Sequence, residues 1–377
     1  MENQEKLTVK QKTVQYFKAL PKRYFITAFS GMAQGLFVTL IAGTILAQIA
    51  GWINKIGDGN YVGNTLLYIA NMAKILMGAG IGIGIAHALG KNKLLVYTAA
   101  VAGMIGAWSD QFIVGGGGLA AITGAMGAKA APGNPIGAYV VTMLVVEIVG
   151  LYAGKTKLDI LLVPLGALVL SLGGVFVAYP FIELVDLLGD GIEKATAITP
   201  FFMGIIIAVV MGGLLTMPTS SAAIWLSFAL GNTSDAMLIA GGAATVGCAC
   251  HMVGFAVASY RENKVSGLIS QGIGTSMLQI PNIMKKPIIM LPMIISSAIC
   301  GPLSTCVFKL KCGASGGGMG TSGLVGVFDL FDCTSGALGY VGIILLMFVL
   351  PIVLNLVISE FMRKKGWIKD GDMKLDV

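Results

Sequence analysis

Charged side chains are scarce in this sequence. Only 11% of its 377 residues are Asp, Glu, Lys or Arg, whereas 56% are hydrophobic. An ordinary soluble domain has about 25% charged residues. So few charges cannot keep this much apolar surface in water, and the composition therefore excludes a soluble globular protein.

Two kinds of binding site are also missing. The net charge is +7, but no Arg-rich or aromatic-interleaved stretch indicates a surface for nucleic acid. The six cysteines lie mostly in apolar segments, and Cys248 and Cys250 have no second pair of ligands at zinc-finger spacing. We expect the cysteines to be small buried hydrophobic residues, and we predict no metal and no cofactor.

The N-terminal residues do not resemble a cleaved signal peptide. Residues 1–24 are too long and too charged for the start of one, and the apolar run behind them has no convincing small-residue cleavage site. We expect the first apolar run to be retained and residues 1–24 to form a basic cytoplasmic segment.

What the sequence does contain is a series of apolar runs near the length of about 20 residues that spans a bilayer. We predict an all-α integral membrane protein of about ten transmembrane helices. The predicted spans are 25–50, 64–90, 94–114, 135–153, 158–180, 198–217, a short run after Pro218, 236–259, 287–308 and 338–361.

The membrane domain is predicted to cover residues 25–362, as two halves at about 25–180 and 198–362. Residues 181–197 alternate apolar and acidic side chains in an amphipathic pattern, which predicts a helix in the membrane interface that joins the halves. Residues 363–377 are predicted to form a cytoplasmic tail.

Basic residues flank the first and last spans: Lys18, Lys22 and Arg23 precede the first, and Arg363, Lys364 and Lys365 follow the last. The positive-inside rule then places both termini in the cytoplasm. Lys309 and Lys311 fall outside in this scheme, an exception that a statistical rule allows.

Four Gly-, Pro- or Ser-rich segments interrupt the helical pattern, at 110–139, 217–230, 266–287 and 311–326. Irregular backbone at membrane depth must be buried in protein or line a watery cavity, so these segments are candidate sites. The first and the fourth are also compatible with external loops rich in glycine.

The segment 217–230 is predicted to be a broken helix. Pro218 prevents the preceding helix from continuing, and Thr219, Ser220 and Ser221 can cap a new half-helix. Its free N–H groups would bind an anion or a sugar hydroxyl. An ordinary proline kink is the alternative.

The segment 266–287 is predicted to dip into the membrane and return. It carries a cluster of neutral polar residues suited to hydrogen-bonding hydroxyl groups: Gln271, Thr275, Ser276, Gln279 and Asn282. We predict a binding site here. The alternative is that these side chains only hold helices together.

Five ionisable residues fall inside predicted spans: Lys74, His87, Asp110, Glu147 and His251. A charge at membrane depth is costly, so each is a functional candidate. Lys74 can snorkel and His87 is near a span end, which leaves Glu147 and His251 as the deeper candidates for substrate binding.

The chain resembles the membrane IIC component (EIIC) of the bacterial phosphoenolpyruvate-dependent sugar phosphotransferase system, and looks closest to the compact stand-alone branch with perfringolysin-regulator-like members. The stretch GIGTSMLQIPNIMKKPIIMLPMII at 272–295 resembles the IIC pattern of a re-entrant Glu-Pro segment followed by Pro-x-x-x-Asn-Pro and a proline-containing helix. The resemblance implies a homodimer and a sugar site in the re-entrant segment.

One departure from this pattern bears on phosphotransfer. Sugar-transporting IIC components have a glutamate in the re-entrant segment, but Thr275 to Gln279 contain no acid. His251 would stand in for the family's histidine. No IIA or IIB domain is visible in this sequence, so the chain would be at most a membrane subunit served by separate IIA and IIB partners.

Three functions remain open from the sequence. The first is a permease for a sugar or related polar solute, as the resemblance implies. The second is an ion- or proton-coupled secondary transporter, in which Glu147 and His251 would carry the coupling. The third is a membrane sensor or regulator that keeps the EIIC fold without phosphotransfer, which the missing glutamate favours.

Overall fold

The computed structural model describes residue 20 and residues 22–56, 60–113, 133–217 and 220–375. Within these ranges every regular element is a helix, which confirms the predicted all-α class. Five described helices are long and apolar enough to cross a membrane, or six if one bent pair counts as a span. The full number of crossings stays a prediction.

The described residues of the first half form seven helices: α1 (Lys22–Asn54), α2 (Tyr61–Ile75), α3 (Met77–Ala88), α4 (Lys93–Ala107), α5 (Ser109–Ile113), α6 (Pro135–Val149) and α7 (Asp159–Ile198). The side chains of Asn60, Asn92 and Asn134 accept hydrogen bonds from the first turns of α2, α4 and α6. These caps explain where three of the helices begin.

Apart from short helical turns, the part of the second half that the structure describes forms eight helices: α8 (Pro200–Thr216), α9 (Ser221–Ala229), α10 (Asp235–Ala258), α11 (Tyr260–Ile269), α12 (Ile280–Lys285), α13 (Pro287–Val307), α14 (Val325–Cys333) and α15 (Ala337–Lys364). Helix α10 is the most buried, because its many Gly and Ala residues let α8, α13 and α15 pack closely around it.

Helix α7 differs from the sequence prediction. The predicted span 158–180 and the predicted interfacial helix 181–197 are two parts of one helix of 40 residues, which continues through Pro164 and Pro180. A proline removes one backbone hydrogen bond, and here the helix continues beyond each of them. The connector is therefore the second half of α7, whose far end contacts α9 and α10.

Glycines bring α1 and α3 together. A Cβ atom placed on Gly35 would lie 2.1 Å from the carbonyl oxygen of Gly80, and one on Gly31 would lie 2.4 Å from that of Gly84. Each helix thus presents two glycines spaced four residues apart, the pattern that permits close backbone approach in membranes. This contact fixes α1 against the first-half bundle.

The basic residues that break the positive-inside rule are partly explained by an ion pair. Lys311 Nζ contacts Asp235 Oδ1 at the start of α10. In the predicted topology both residues lie on the outer side of the membrane. Lys311 is therefore not an isolated positive charge at that face.

Candidate functional site

A cavity of about 470 Å³ lies where four parts of the chain meet: α1, the break between α8 and α9, residues 270–279 (the re-entrant loop) and residues 311–324 (the glycine-rich loop). Its polar lining residues are Ser30, Gln34, Ser220, Ser221, Thr275 and Ser322. The other lining residues are apolar, and none of the described residues around the cavity is ionisable.

The break between α8 and α9 forms one wall of this cavity. Ser220 is the N-cap of α9, and its Oγ accepts a hydrogen bond from the backbone N–H of Ala223 at 3.1 Å. The neighbouring Ser221 Oγ donates to the carbonyl of Gly318 at 2.6 Å, which ties α9 to the glycine-rich loop. The structure confirms Ser220 as a cap, while Pro218 and Thr219 lie outside the described residues.

The tips of the two loops are joined by hydroxyl groups at the cavity. Thr321 Oγ1 donates to the carbonyl of Gly272 at 2.5 Å, and Ser322 Oγ donates to that of Gly274 at 3.0 Å. Thr275, the next residue along the re-entrant loop, caps the turn that follows and lines the cavity. The two segments that the sequence marked as irregular therefore meet at one site.

Asp329 on α14 organises the glycine-rich loop. One of its carboxylate oxygens, Oδ2, accepts hydrogen bonds from the backbone N–H groups of Gly313 at 2.8 Å and Gly316 at 2.9 Å, and from the thiol of Cys312 at 3.2 Å. A buried carboxylate that receives several donors fixes the backbone that supplies them. Asp329 was not a candidate from the sequence, although it and Asp332 are the two acids of an otherwise apolar stretch.

Ser276 and His251 lie beneath the cavity, fully buried, and do not line it. Ser276 Oγ lies 3.0 Å from Thr216 Oγ1, which lies 2.9 Å from His251 Nδ1. His251 Nε2 has no hydrogen-bond partner among the described residues. The structure thus connects His251 to the re-entrant loop through the hydroxyl group of Thr216.

Gln279 and Asn282 face the C-terminal tail and do not line the cavity. Gln279 Nε2 donates to Gln271 Oε1 at 2.8 Å and to the carbonyl of Met373 at 2.9 Å. Asn282 Nδ2 donates to Gln279 Oε1 and to the carbonyl of Lys374, both at 2.8 Å. These two predicted site residues therefore bind the chain's own residues 373–374.

Two ion pairs hold the same tail in place. Arg363 and Glu262 form a pair at 3.2 Å in which both side chains are only 7% exposed. Lys286 Nζ lies 2.6 Å from Asp372 Oδ2. Burial alone raises the pKa of Asp372, but hydrogen bonds and charge from Lys286 and Lys369 outweigh it and hold this pKa below its usual value.

Glu147 lies away from the cavity. Its Oε1 accepts a hydrogen bond from Arg23 Nε at 2.7 Å, and it lines a separate groove along α6. The structure therefore brings Ser220, Ser221 and Thr275 together in the cavity, and it places Ser276 and His251 directly behind them. Glu147, Gln279 and Asn282 belong to other parts of the molecule.

Two polar residues of the cavity were missed by the sequence analysis. The side chains of Ser30 and Gln34 on α1 make no hydrogen bond to another described residue, so they are available to a bound molecule. An uncharged amide in the first apolar run was the signal that could have identified Gln34.

A helical membrane protein with a cavity at a broken helix and two loop tips has the architecture of a solute transporter. The family described as "Phosphotransferase system, EIIC" matches residues 26–375, nearly the whole chain. The chain therefore belongs to this family and is a membrane component of the phosphotransferase system. No curated protein matches the sequence.

Proposed function

We propose that this chain is an EIIC permease that binds a neutral sugar or a related polar solute in the cavity and moves it across the bacterial cell membrane. Both termini are in the cytoplasm, and two copies of the chain form a homodimer. Phosphate reaches the solute through separate IIA and IIB proteins. The observation that carries this proposal is the uncharged polar lining of the cavity.

The lining suits a sugar. Its hydroxyl and amide groups can each donate and accept, as sugar hydroxyls do, and the apolar walls can cover the C–H faces of a sugar ring. Small-molecule sites usually measure about 300–1,000 Å³, and this cavity falls in that range. Because none of the described residues that line it is charged, recognition rests on hydrogen bonds.

The missing acid bears on the chemistry. Transfer of a phosphoryl group to a hydroxyl is helped by a base that accepts the hydroxyl proton. The imidazole of His251 reaches the re-entrant loop only through Thr216 and Ser276. This observation supports, as a second candidate, a sensor or regulator that binds the same solute without phosphotransfer.

Ion-coupled transport finds less support at this site. Glu147 is paired with Arg23, so protonating its carboxylate would leave a partly buried guanidinium without its partner. A proton- or ion-coupled mechanism stays an alternative, and a dependence of transport on Na⁺ or on a pH gradient would reveal it.

Counterflow in proteoliposomes tests the proposal. Proteoliposomes that contain the purified protein are loaded with an unlabelled sugar. Labelled hexoses, hexitols or disaccharides are then added to the solution outside. We expect exchange of at least one neutral sugar, and Gln34→Leu should weaken it by about 2- to 12-fold, the range that one neutral hydrogen bond supplies. Thr65→Val on α2 removes a hydroxyl outside the cavity and is the matched control.

Exchange of no sugar, together with uptake that requires an ion gradient, would contradict the proposal. Binding of a sugar without any exchange would favour the sensor or regulator. Equal effects of Gln34→Leu and Thr65→Val would mean that the cavity is not the solute site.

A further inference from the structure

A second concave surface, the α6 groove, lies apart from the solute cavity. It measures about 540 Å³ and runs along α6 between the start of α1 and the second half of α7. Its walls are almost wholly apolar and include Val140 and Leu144 of α6 and Val177, Phe181 and Leu184 of α7. The three α7 side chains are exposed.

The dimensions of the groove match one hydrocarbon chain. Its lining on α6 extends from Ile136 to Ile148, a length of about 18 Å at the helical rise per residue. One leaflet of a bilayer has a hydrocarbon depth of about 15 Å, half of the core thickness. A chain lying along α6 would therefore extend from the membrane surface to about the bilayer centre.

A charged cluster lies at the Glu147 end of the α6 groove. Arg23 Nε is 2.7 Å from Glu147 Oε1, and these side chains are 28% and 20% exposed. The terminal nitrogens of Arg23 make no hydrogen bond to another described residue. A guanidinium held by one carboxylate thus keeps two donors for a further anion.

Lys91 adds a second positive charge to this cluster. A Cβ atom placed on Gly150, one turn after Glu147, would lie 2.6 Å from Lys91 Nζ. Burial lowers the pKa of Lys91, the Glu147 carboxylate raises it and Arg23 lowers it, so the three groups interact. Two cations and one anion leave a net charge of +1 on the side that the basic residues assign to the cytoplasm.

We infer that the α6 groove is a binding site for an anionic phospholipid. The phosphate contacts Arg23 and Lys91, and one acyl chain lies along α6. The guanidinium group of an arginine can donate two parallel hydrogen bonds to phosphate oxygens. Basic pockets between helices at the cytoplasmic side of a membrane attract anionic headgroups. A zwitterionic lipid gains less, because its own cation offsets the attraction. This inference does not depend on the solute that the cavity binds.

The experiment uses the full chain, purified and stripped of lipid in neutral detergent. Phosphatidylglycerol or phosphatidylcholine is then added, bound lipid is counted by native mass spectrometry, and Tm is measured in parallel. We expect wild-type protein to retain phosphatidylglycerol more strongly and to gain more in Tm from it. High salt should reduce the difference.

Two variants and two matched controls locate the site. Val177→Trp fills the groove, whereas Val169→Trp places the same bulk elsewhere on α7, where the side chain is 72% exposed. Lys91→Gln reduces the cluster charge to zero and should weaken phosphatidylglycerol binding about fivefold, the effect of one basic side chain near an anionic surface. Lys93→Gln changes an exposed lysine two residues away and should have no such effect.

Three results would overturn the inference. The first is equal retention of the two lipids by wild-type protein. The second is unchanged phosphatidylglycerol preference in both Val177→Trp and Lys91→Gln. The third is loss of dimers in Val177→Trp while lipid preference persists, which would make the groove an interface between two copies of the chain.

Discussion

Replacing Gln279 by leucine separates a structural role from a solute-binding role in the re-entrant segment. The sequence alone predicts that this change weakens solute binding while the protein stays folded. The structure predicts the reverse, because the Gln279 amide binds Gln271, the carbonyl of Met373 and Asn282, and does not line the cavity.

The size of the effect follows from the partners that leucine would leave behind. Gln271 Oε1 would be buried without its hydrogen-bond donor. The carbonyl of Met373 would still accept a hydrogen bond from Asn263, and Asn282 would still donate one to the carbonyl of Lys374. One buried orphan costs about 1–3 kcal/mol, and each of the other lost hydrogen bonds costs about 1 kcal/mol or less. We expect a total loss near 2–4 kcal/mol and, for a chain of 377 residues, a fall in Tm of about 2–5 °C.

The same chemical change at Gln34 is the control. This amide has no partner among the described residues, so Gln34→Leu should change Tm by less than about 1 °C, as exposed substitutions usually do. The assay is thermal unfolding of both variants in one detergent, followed by fluorescence-detected size-exclusion chromatography. Limited proteolysis then shows whether residues 366–375 have been released.

An unchanged Tm for Gln279→Leu, combined with several-fold weaker sugar binding, would refute this reasoning. Gln279 would then contact the solute directly, and the site would extend beneath the tail. A fall in Tm for Gln34→Leu equal to that for Gln279→Leu would mean that the cavity amide is structural.

The other predictions concern the tail, the bundle and the glycine-rich loop. Because the pKa of Asp372 is lowered, its pairing with Lys286 contributes stability above about pH 4, and this stability is lost as pH falls through the folded-state pKa. As pH falls through that range, the protease sensitivity of the tail should rise in the wild-type protein and stay constant in Asp372→Asn. Gly35→Val should reduce the yield of folded protein, because its Cβ would lie 2.1 Å from the carbonyl of Gly80, and a normal yield would contradict the described packing. Asp329→Ala should accelerate hydrogen exchange in residues 313–316, because their buried N–H groups lose an acceptor at a cost of about 1–3 kcal/mol, whereas unchanged exchange would contradict the role of this carboxylate.

The positions of the apolar helices could be predicted closely from the sequence. The predicted span 236–259 is the helix Asp235–Ala258, and the predicted 198–217 is Pro200–Thr216. Length and apolarity decide these elements, and both are local properties. The continuous α7 was not predicted, because the amphipathic pattern of residues 181–197 indicated a separate helix in the membrane interface.

The site was predictable only in part. Ser220 could be identified because a helix cap is local in sequence. The contact of Gln279 with Met373 joins residues 94 apart, and no pattern in the re-entrant segment indicates it. The partner of Glu147 is Arg23, which lies 124 residues away in the sequence. The position of Glu147 inside a span therefore could not show whether it faces the cavity or another surface.

Protection of a cysteine in the cavity tests the central claim most directly. Ala33→Cys is placed in the cavity wall, and Thr65→Cys on α2 is the control, both in a background in which the two less buried cysteines, Cys306 and Cys333, are serine. The account predicts that a neutral sugar from a panel of hexoses, hexitols and disaccharides slows maleimide labelling at position 33 and not at position 65, with little dependence on salt. Labelling at position 33 that no sugar slows, or that only an ion slows, would contradict it.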